Sequence, residues 1–222
     1  MAWAEFAAAF IAFFLTHSLP VRPPLRPWLV ARLGGAGFTL AYSALSLGVL
    51  AWLIGAAGPA PYVPLWSWAP WQAHVPLAVM LPVCMIVALA AGRPNPFSFG
   101  GAGNERFDPA RPGITRWMRH PFLVALALWA LAHLVANGDL AHVLLFATFA
   151  AFALLGQPLI DRRKRRELGD AWLRLHARVA AGPVLPRPTS AGAAVLRLIA
   201  GAALYGALLW AHPYLFGVSP LM

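Results

Sequence analysis

Six long apolar segments dominate the sequence, and they constrain the fold more than any other feature. A helix needs roughly 20 apolar residues, within a range of about 17–25, to cross a bilayer core about 30 Å thick. Backbone groups inside lipid must be satisfied within the segment, and continuous rather than alternating hydrophobicity favours helices over a membrane barrel. We therefore predict an all-α polytopic integral membrane protein whose transmembrane helices cover roughly residues 2–17, 36–57, 74–91, 121–136, 140–160 and 191–211.

The basic residues are distributed unevenly among the segments that connect these six runs. Most of them lie in the first, third and fifth connections, whereas residues 58–73, 137–139 and 212–222 contain no Lys or Arg. Basic loops are retained in the cytoplasm, so this alternation predicts a multi-pass protein with both termini on the outer, periplasmic side. The formal net charge of +10 therefore indicates topology and contact with anionic membrane lipid, and it does not indicate nucleic-acid binding.

The domain organisation follows from the same pattern, and we predict a single membrane domain over residues 1–222. The longest connection without an obvious helix, residues 92–119, contains three phenylalanines among glycines, so we expect it to fold back on the helices. After the fifth run, the basic cluster 162–166 leads into a predicted amphipathic helix that ends at Ala181 and lies in the membrane interface.

Of the seven histidines, three lie deep in an apolar run or at its cytoplasmic end, namely His17, His120 and His133, whereas His74, His142 and His212 are expected near the outer surface. His17 ends the first run and His120 begins the fourth. Two histidines at one depth on different helices can bind one cofactor from opposite faces, as the axial ligands of haem iron do. His133 lies about 20 Å deeper at 1.5 Å per residue, on one helix face with Trp129 and Asn137.

Several other kinds of site have no support in the sequence. There is no zinc spacing such as H-E-x-x-H, no glycine-rich phosphate loop after a strand, and no indicated Ser-His-Asp arrangement. The one cysteine, Cys84, cannot form an internal disulfide. The residues alone therefore predict a cytoplasmic-side site without naming its reaction.

Four stretches together resemble the NnrU family. They are T-H-S in the first run, R-H-P at the start of the fourth, L-W-A-L-A-H-L-V-A-N-G-D within it, and G-x-P-L-I-D-x-R-K-R-R at the end of the fifth. The resemblance implies a bacterial inner-membrane protein linked to nitric oxide metabolism and denitrification, with denitrification reductases as partners. The same domain occurs in the plant zeta-carotene isomerase, which implies haem b and cis-trans isomerisation of a polyene. That isomerase has further histidines in its fifth helix, whereas residues 146–158 here contain none.

This resemblance implies haem-dependent redox or isomerase chemistry at the cytoplasmic leaflet. We expect His17 and His120 to bind the iron of haem b. We expect His133, together with Asn137, to orient a lipophilic or gaseous small-molecule ligand.

Two alternatives remain open. Part of the chain also resembles the isoprenylcysteine carboxyl methyltransferases and phospholipid N-methyltransferases. The matching features are R-H-P, a hairpin and then E-L-G-x-x-W-x-x-L-x-x-R-V-x-x-x-P. That resemblance implies S-adenosylmethionine bound near His120 and the segment after Asp161. Those enzymes use acidic residues where this chain has R-R-K-R-R followed by Glu167. The other alternative is a non-enzymatic assembly factor for a respiratory reductase.

Overall fold

The computed structural model describes residues 2–99, 101–185, 188 and 190–221, and within these residues the chain is all-α without a β-strand. Two single-turn 3₁₀ helices, Asn104–Arg106 and Gly113–Arg116, interrupt the connection between the third and fourth α-helices. The all-α prediction is confirmed. The α-helices are α1 (Ala2–Ser18), α2 (Leu25–Ala57), α3 (Pro70–Ala90), α4 (Pro121–Ala136), α5 (Leu140–Leu168), α6 (Asp170–Ala181) and α7 (Ala191–Phe216).

Four helices of the described chain are long and apolar enough to cross a membrane, namely α2, α3, α5 and α7. Helices α1 and α4 are also apolar but contain only 17 and 16 residues. At 1.5 Å per residue, 16 residues extend about 24 Å, which is less than a hydrocarbon core of about 30 Å. The helices are those of a membrane protein, and the total of six spans stays a prediction.

Helix α2 starts earlier than the predicted run of residues 36–57. It begins at Leu25 and includes Pro27, because a proline in the first turn has no intrahelical N–H bond to lose. Its helical path is interrupted at Gly34, where φ is 72° and ψ is 166°, a conformation open to glycine because it lacks a Cβ.

Helix α5 is longer than predicted, and this changes where the basic cluster lies. The helix continues through Pro158 to Leu168 and therefore includes residues 162–166. Gly169, with φ of 54°, separates it from α6. The helix predicted to follow the basic cluster therefore begins only at Asp170, after this glycine, and it ends at Ala181.

The helices form two compact units. The first comprises Met1–Trp66 and Asp139–Leu145, and α1 packs against α2 within it. There, the Tyr42 hydroxyl donates a hydrogen bond to the His17 carbonyl oxygen at 3.3 Å. The second comprises Ser67–Gly138 and Phe146–Met222, and α3 packs against α4 and α7 within it.

Small residues and one arginine hold α3 and α7 together in the second unit. A Cβ added at Gly201 would lie 2.9 Å from the Met85 Cα, so only glycine allows this approach of the two backbones. About one helical turn before Gly201, Arg197 Nη1 donates to the carbonyl oxygens of Ala88 and Ala91 at 2.8 and 2.7 Å. These are carbonyls that the end of α3 would otherwise leave without partners.

The long connection between α3 and α4 folds onto α6, as the sequence predicts. Phe97 is fully buried and meets the ring of Trp172 edge-on, with the ring centroids 6.0 Å apart. Val179 and Leu175 belong to the same apolar cluster. The apolar side of α6 therefore contacts this connection, and its placement in the membrane interface stays a prediction.

Candidate functional site

His120 is the predicted site residue that the fold buries most completely. Pro121 starts α4, which leaves His120 as the residue that precedes the helix. The side chain of His120 is 2% exposed. A polar ring in such a place requires hydrogen-bond partners, because burying an unsatisfied polar group costs about 1–3 kcal/mol.

Both ring nitrogens of His120 have partners. Nε2 lies 3.1 Å from Asp161 Oδ1, and Nδ1 lies 3.0 Å from the Ser98 hydroxyl. Burial lowers the pKa of His120, and the neighbouring Asp161 opposes that effect only in part. The ring is therefore neutral at neutral pH, with Nε2–H donating to the carboxylate and Nδ1 accepting from Ser98.

Arg119 holds the same carboxylate from its other side. Its Nη2 donates to Asp161 Oδ2 at 2.7 Å and its Nε donates to Oδ1 at 3.3 Å, which is a two-point contact. Its Nη1 lies 3.3 Å from His176 Nε2. Because a guanidinium only donates, His176 accepts through Nε2 and is neutral. Burial, followed by the charge of Arg119, lowers the pKa of His176 in agreement with that assignment.

These five side chains form one connected group, which we call the polar centre: Ser98, Arg119, His120, Asp161 and His176. It joins the α3–α4 connection, the start of α4, the last third of α5, and α6. All five residues belong to the second compact unit.

The loop that carries Ser98 is positioned by Asn95. The Asn95 side-chain amide donates to the Arg119 carbonyl at 2.9 Å, and its oxygen accepts from the Phe97 N–H at 3.1 Å. The backbone N–H of Asn95 donates to Asn104 Oδ1 at 2.8 Å. Asn95 thus links the loop to the start of α4, which keeps Ser98 within reach of the imidazole.

The ring of His176 is held by Trp172. The two rings stack with centroids 5.0 Å apart and planes 4° apart, and the Arg165 guanidinium lies 4.3 Å from the Trp172 ring centroid. His176 therefore packs towards the polar centre.

A small cavity lies beside the polar centre. Its volume is about 150 Å³, and Arg119 and His176 both line it. Phe97, Thr115 and Val179 supply apolar and hydroxyl surface. A molecule of a few atoms in this cavity would contact two polar groups that are already connected to Asp161.

The other predicted site residues lie elsewhere. His17 belongs to the first unit and His120 to the second, so their pairing on one iron stays a prediction. The Nδ1 of His17 contacts the Phe13 carbonyl at 2.8 Å, and the Nδ1 of His133 contacts the Trp129 carbonyl at 2.8 Å. The Asn137 amide donates to the His133 carbonyl at 2.7 Å.

Four members of the polar centre were not predicted from the sequence: Ser98, Arg119, Asp161 and His176. Ser98, His120 and Asp161 form a hydrogen-bonded chain, contrary to the interpretation that no such arrangement is indicated. Ser98 and Asp161 lie 22 and 41 residues from His120, and no local spacing connects them. The one available signal was Asp161, a carboxylate immediately after the fifth apolar run. Within the described ranges, no group of three or more His, Cys, Asp or Glu side chains is placed to hold a metal ion.

The comparisons with known proteins give one match. The family described as NnrU protein matches residues 5–220, which is nearly the whole chain. No curated protein and no solved structure is significantly similar to the chain.

Proposed function

The chain belongs to the NnrU family, and from that membership we propose a haem b-dependent membrane protein of redox or isomerase type, linked to nitric oxide metabolism and denitrification. The observation that carries the proposal is the polar centre. Buried ionisable groups at a membrane-helix end are costly, and such groups are concentrated where a protein handles charge or protons. We propose that the chemistry takes place at the end of the second unit that carries the basic loops. We take this end as the cytoplasmic one.

The polar centre supplies a proton acceptor that is ready at neutral pH. His120 is neutral, and Asp161 is oriented to stabilise the imidazolium that forms when His120 takes up a proton. Arg119 keeps the carboxylate in place through its two-point contact. A small ligand in the 150 Å³ cavity would meet Arg119 and His176 directly.

The histidines fit a haem iron to different degrees. Metal-binding histidines usually donate their second ring N–H to a carbonyl or carboxylate. His17 and His133 have this arrangement through Nδ1, and no hydrogen bond to Nε2 is found among the described residues. His120 would have to give up its bond to Ser98 or Asp161 to bind iron.

We therefore propose His17 as an iron ligand, because its Nε2 can bind iron without loss of its Nδ1 contact, and we propose His120 as the other ligand, a role that would replace its uptake of a proton. When bound, haem b would supply an iron centre for electron transfer or for activating a small ligand. His133, whose ring contacts the Trp129 carbonyl, is proposed to orient the lipophilic or gaseous ligand together with Asn137.

Absorption spectra of the purified protein test this proposal. Protein from haem-replete cells should show a Soret band that shifts on reduction with dithionite. The band should be lost or displaced in H17A and weakened in H120A. H74A is the matched control, because His74 is exposed and is not a member of the polar centre. Wild-type spectra in both H17A and H120A would refute the ligand assignment.

A colourless protein would refute the haem proposal and direct attention to the alternatives. Methyl transfer would require S-adenosylmethionine binding, measurable by titration calorimetry. The expected acidic residue, Glu167, is already engaged by Lys164 at 2.8 Å and Arg163 at 3.5 Å, which disfavours it as a partner for a cationic amine. Stable co-purification with a reductase, without methyl-donor binding, would favour the assembly role.

A further inference from the structure

We propose that the second unit binds one anionic phospholipid in a cavity separate from the polar centre, with the phosphate on Arg93 and an acyl chain along an apolar wall. The cavity has a volume of about 390 Å³ and is formed at the ends of α3, α4 and α7 together with the α3–α4 connection. No histidine lines it among the described residues, so this site does not depend on the haem proposal.

The wall of this cavity is suited to a lipid chain. Its apolar residues come from the loop, from the start of α4, and from α3 and α7, which have the length and composition of membrane spans. The apolar lining residues include Leu89, Phe99, Ile114, Trp117, Phe122 and Leu198. A phospholipid places the boundary between its headgroup and its acyl chains where apolar surface meets basic side chains. The helix ends around this cavity have both kinds of surface.

The charge of the lining selects an anion. Arg93 and Arg197 both line the cavity, and neither Asp nor Glu is among its described lining residues. Arg197 uses its Nη1 on the carbonyl oxygens that end α3, so its position is set by the protein. Arg93 is half-buried, and its guanidinium has no hydrogen-bond or ion-pair partner within residues 2–99, 101–185, 188 and 190–221.

An unpaired guanidinium beside apolar surface is unfavourable, and a phosphate is the group that best matches its geometry. A soluble anion would satisfy the charge but would leave the apolar wall exposed to water. A zwitterionic lipid would cover the wall but would bring a cation close to two arginines. An anionic phospholipid satisfies both requirements, which is why we assign it to this cavity.

Native mass spectrometry of the full chain tests the assignment. The protein would be equilibrated in mixed micelles with equal amounts of phosphatidylglycerol and phosphatidylcholine. Wild type should retain one phosphatidylglycerol in preference. R93Q should lower that preference by about tenfold, the change expected when one charge-assisted contact is lost. R93K should keep most of it. R174Q is the matched control, because Arg174 is exposed and does not line the cavity.

A second variant tests the cavity without changing its charge. Ala194 lines the wall, and A194W should displace the lipid while Arg93 is unchanged. Each variant would first be checked for a monodisperse elution profile. Equal lipid preference in wild type and R93Q would overturn the proposal, as would full retention in A194W. Equally strong competition by glycerol phosphate, which has no acyl chain, would assign the site to a soluble anion and would also overturn it.

Discussion

Removing the charge of Asp161 is the perturbation that most directly tests the polar centre as a connected unit. The carboxylate accepts from Arg119 at two atoms and from His120 at one. In D161N the amide oxygen can retain the contacts made at one of the two oxygen positions, but the NH₂ group at the other position then faces a donor. Losing one partner of a buried ion pair costs about 3–5 kcal/mol. The Arg119 side chain is 37% exposed, so water compensates part of its loss.

We therefore expect D161N to destabilise the protein by about 2–3 kcal/mol. At about 2–4 °C per kcal/mol for a chain of this size, the melting temperature should fall by roughly 4–12 °C. Thermal unfolding in detergent, followed by tryptophan fluorescence, measures this fall. D170N is the control, because Asp170 is exposed and should change stability by less than about 0.5 kcal/mol. A D161N melting temperature within 1 °C of wild type would refute the reasoning.

Three further predictions follow from buried contacts. G201A should lose about 1–3 kcal/mol of stability because the new methyl group meets the Met85 backbone, whereas G206A, with open space around it, should not. F97A should lose about 3–5 kcal/mol because Phe97 is fully buried, and a stable F97A in thermal unfolding would contradict its role in the core. His120 has a lowered pKa in the folded state, so the unfolded state binds the proton first as the pH falls through the ordinary histidine range. Stability should therefore decrease below about pH 6.5, by at most about 1.4 kcal/mol per pH unit for this group, and H120Q should flatten that dependence in melts between pH 5 and 8.

The helices were the part of this fold that composition could predict. Apolar runs and the proline after His120 gave the bounds of α4 correctly, because both effects act within one turn of helix. The start of α2 and the end of α5 were missed, because a proline in a first turn and a basic cluster on a helix end are both compatible with continued helix. Gly169 does end α5, but this role depends on its positive φ, which the sequence alone does not show.

The polar centre was predictable only at His120. Its partners come from a loop, from the last third of α5 and from α6, and the fold alone brings them together. Helical spacing within α6 says nothing about which loop packs against His176. Trp172 stacking on His176 is a tertiary contact of this kind.

The haem content of the purified protein tests the central proposal most directly. Haem b would be extracted from wild-type protein produced in haem-replete cells, converted to its pyridine complex and quantified against the protein concentration. We expect a haem content approaching one haem b per chain in wild type, with a clear decrease in H17A and no change in H74A. Colourless wild-type protein, or a haem content unaffected by substitution of both His17 and His120, would contradict it.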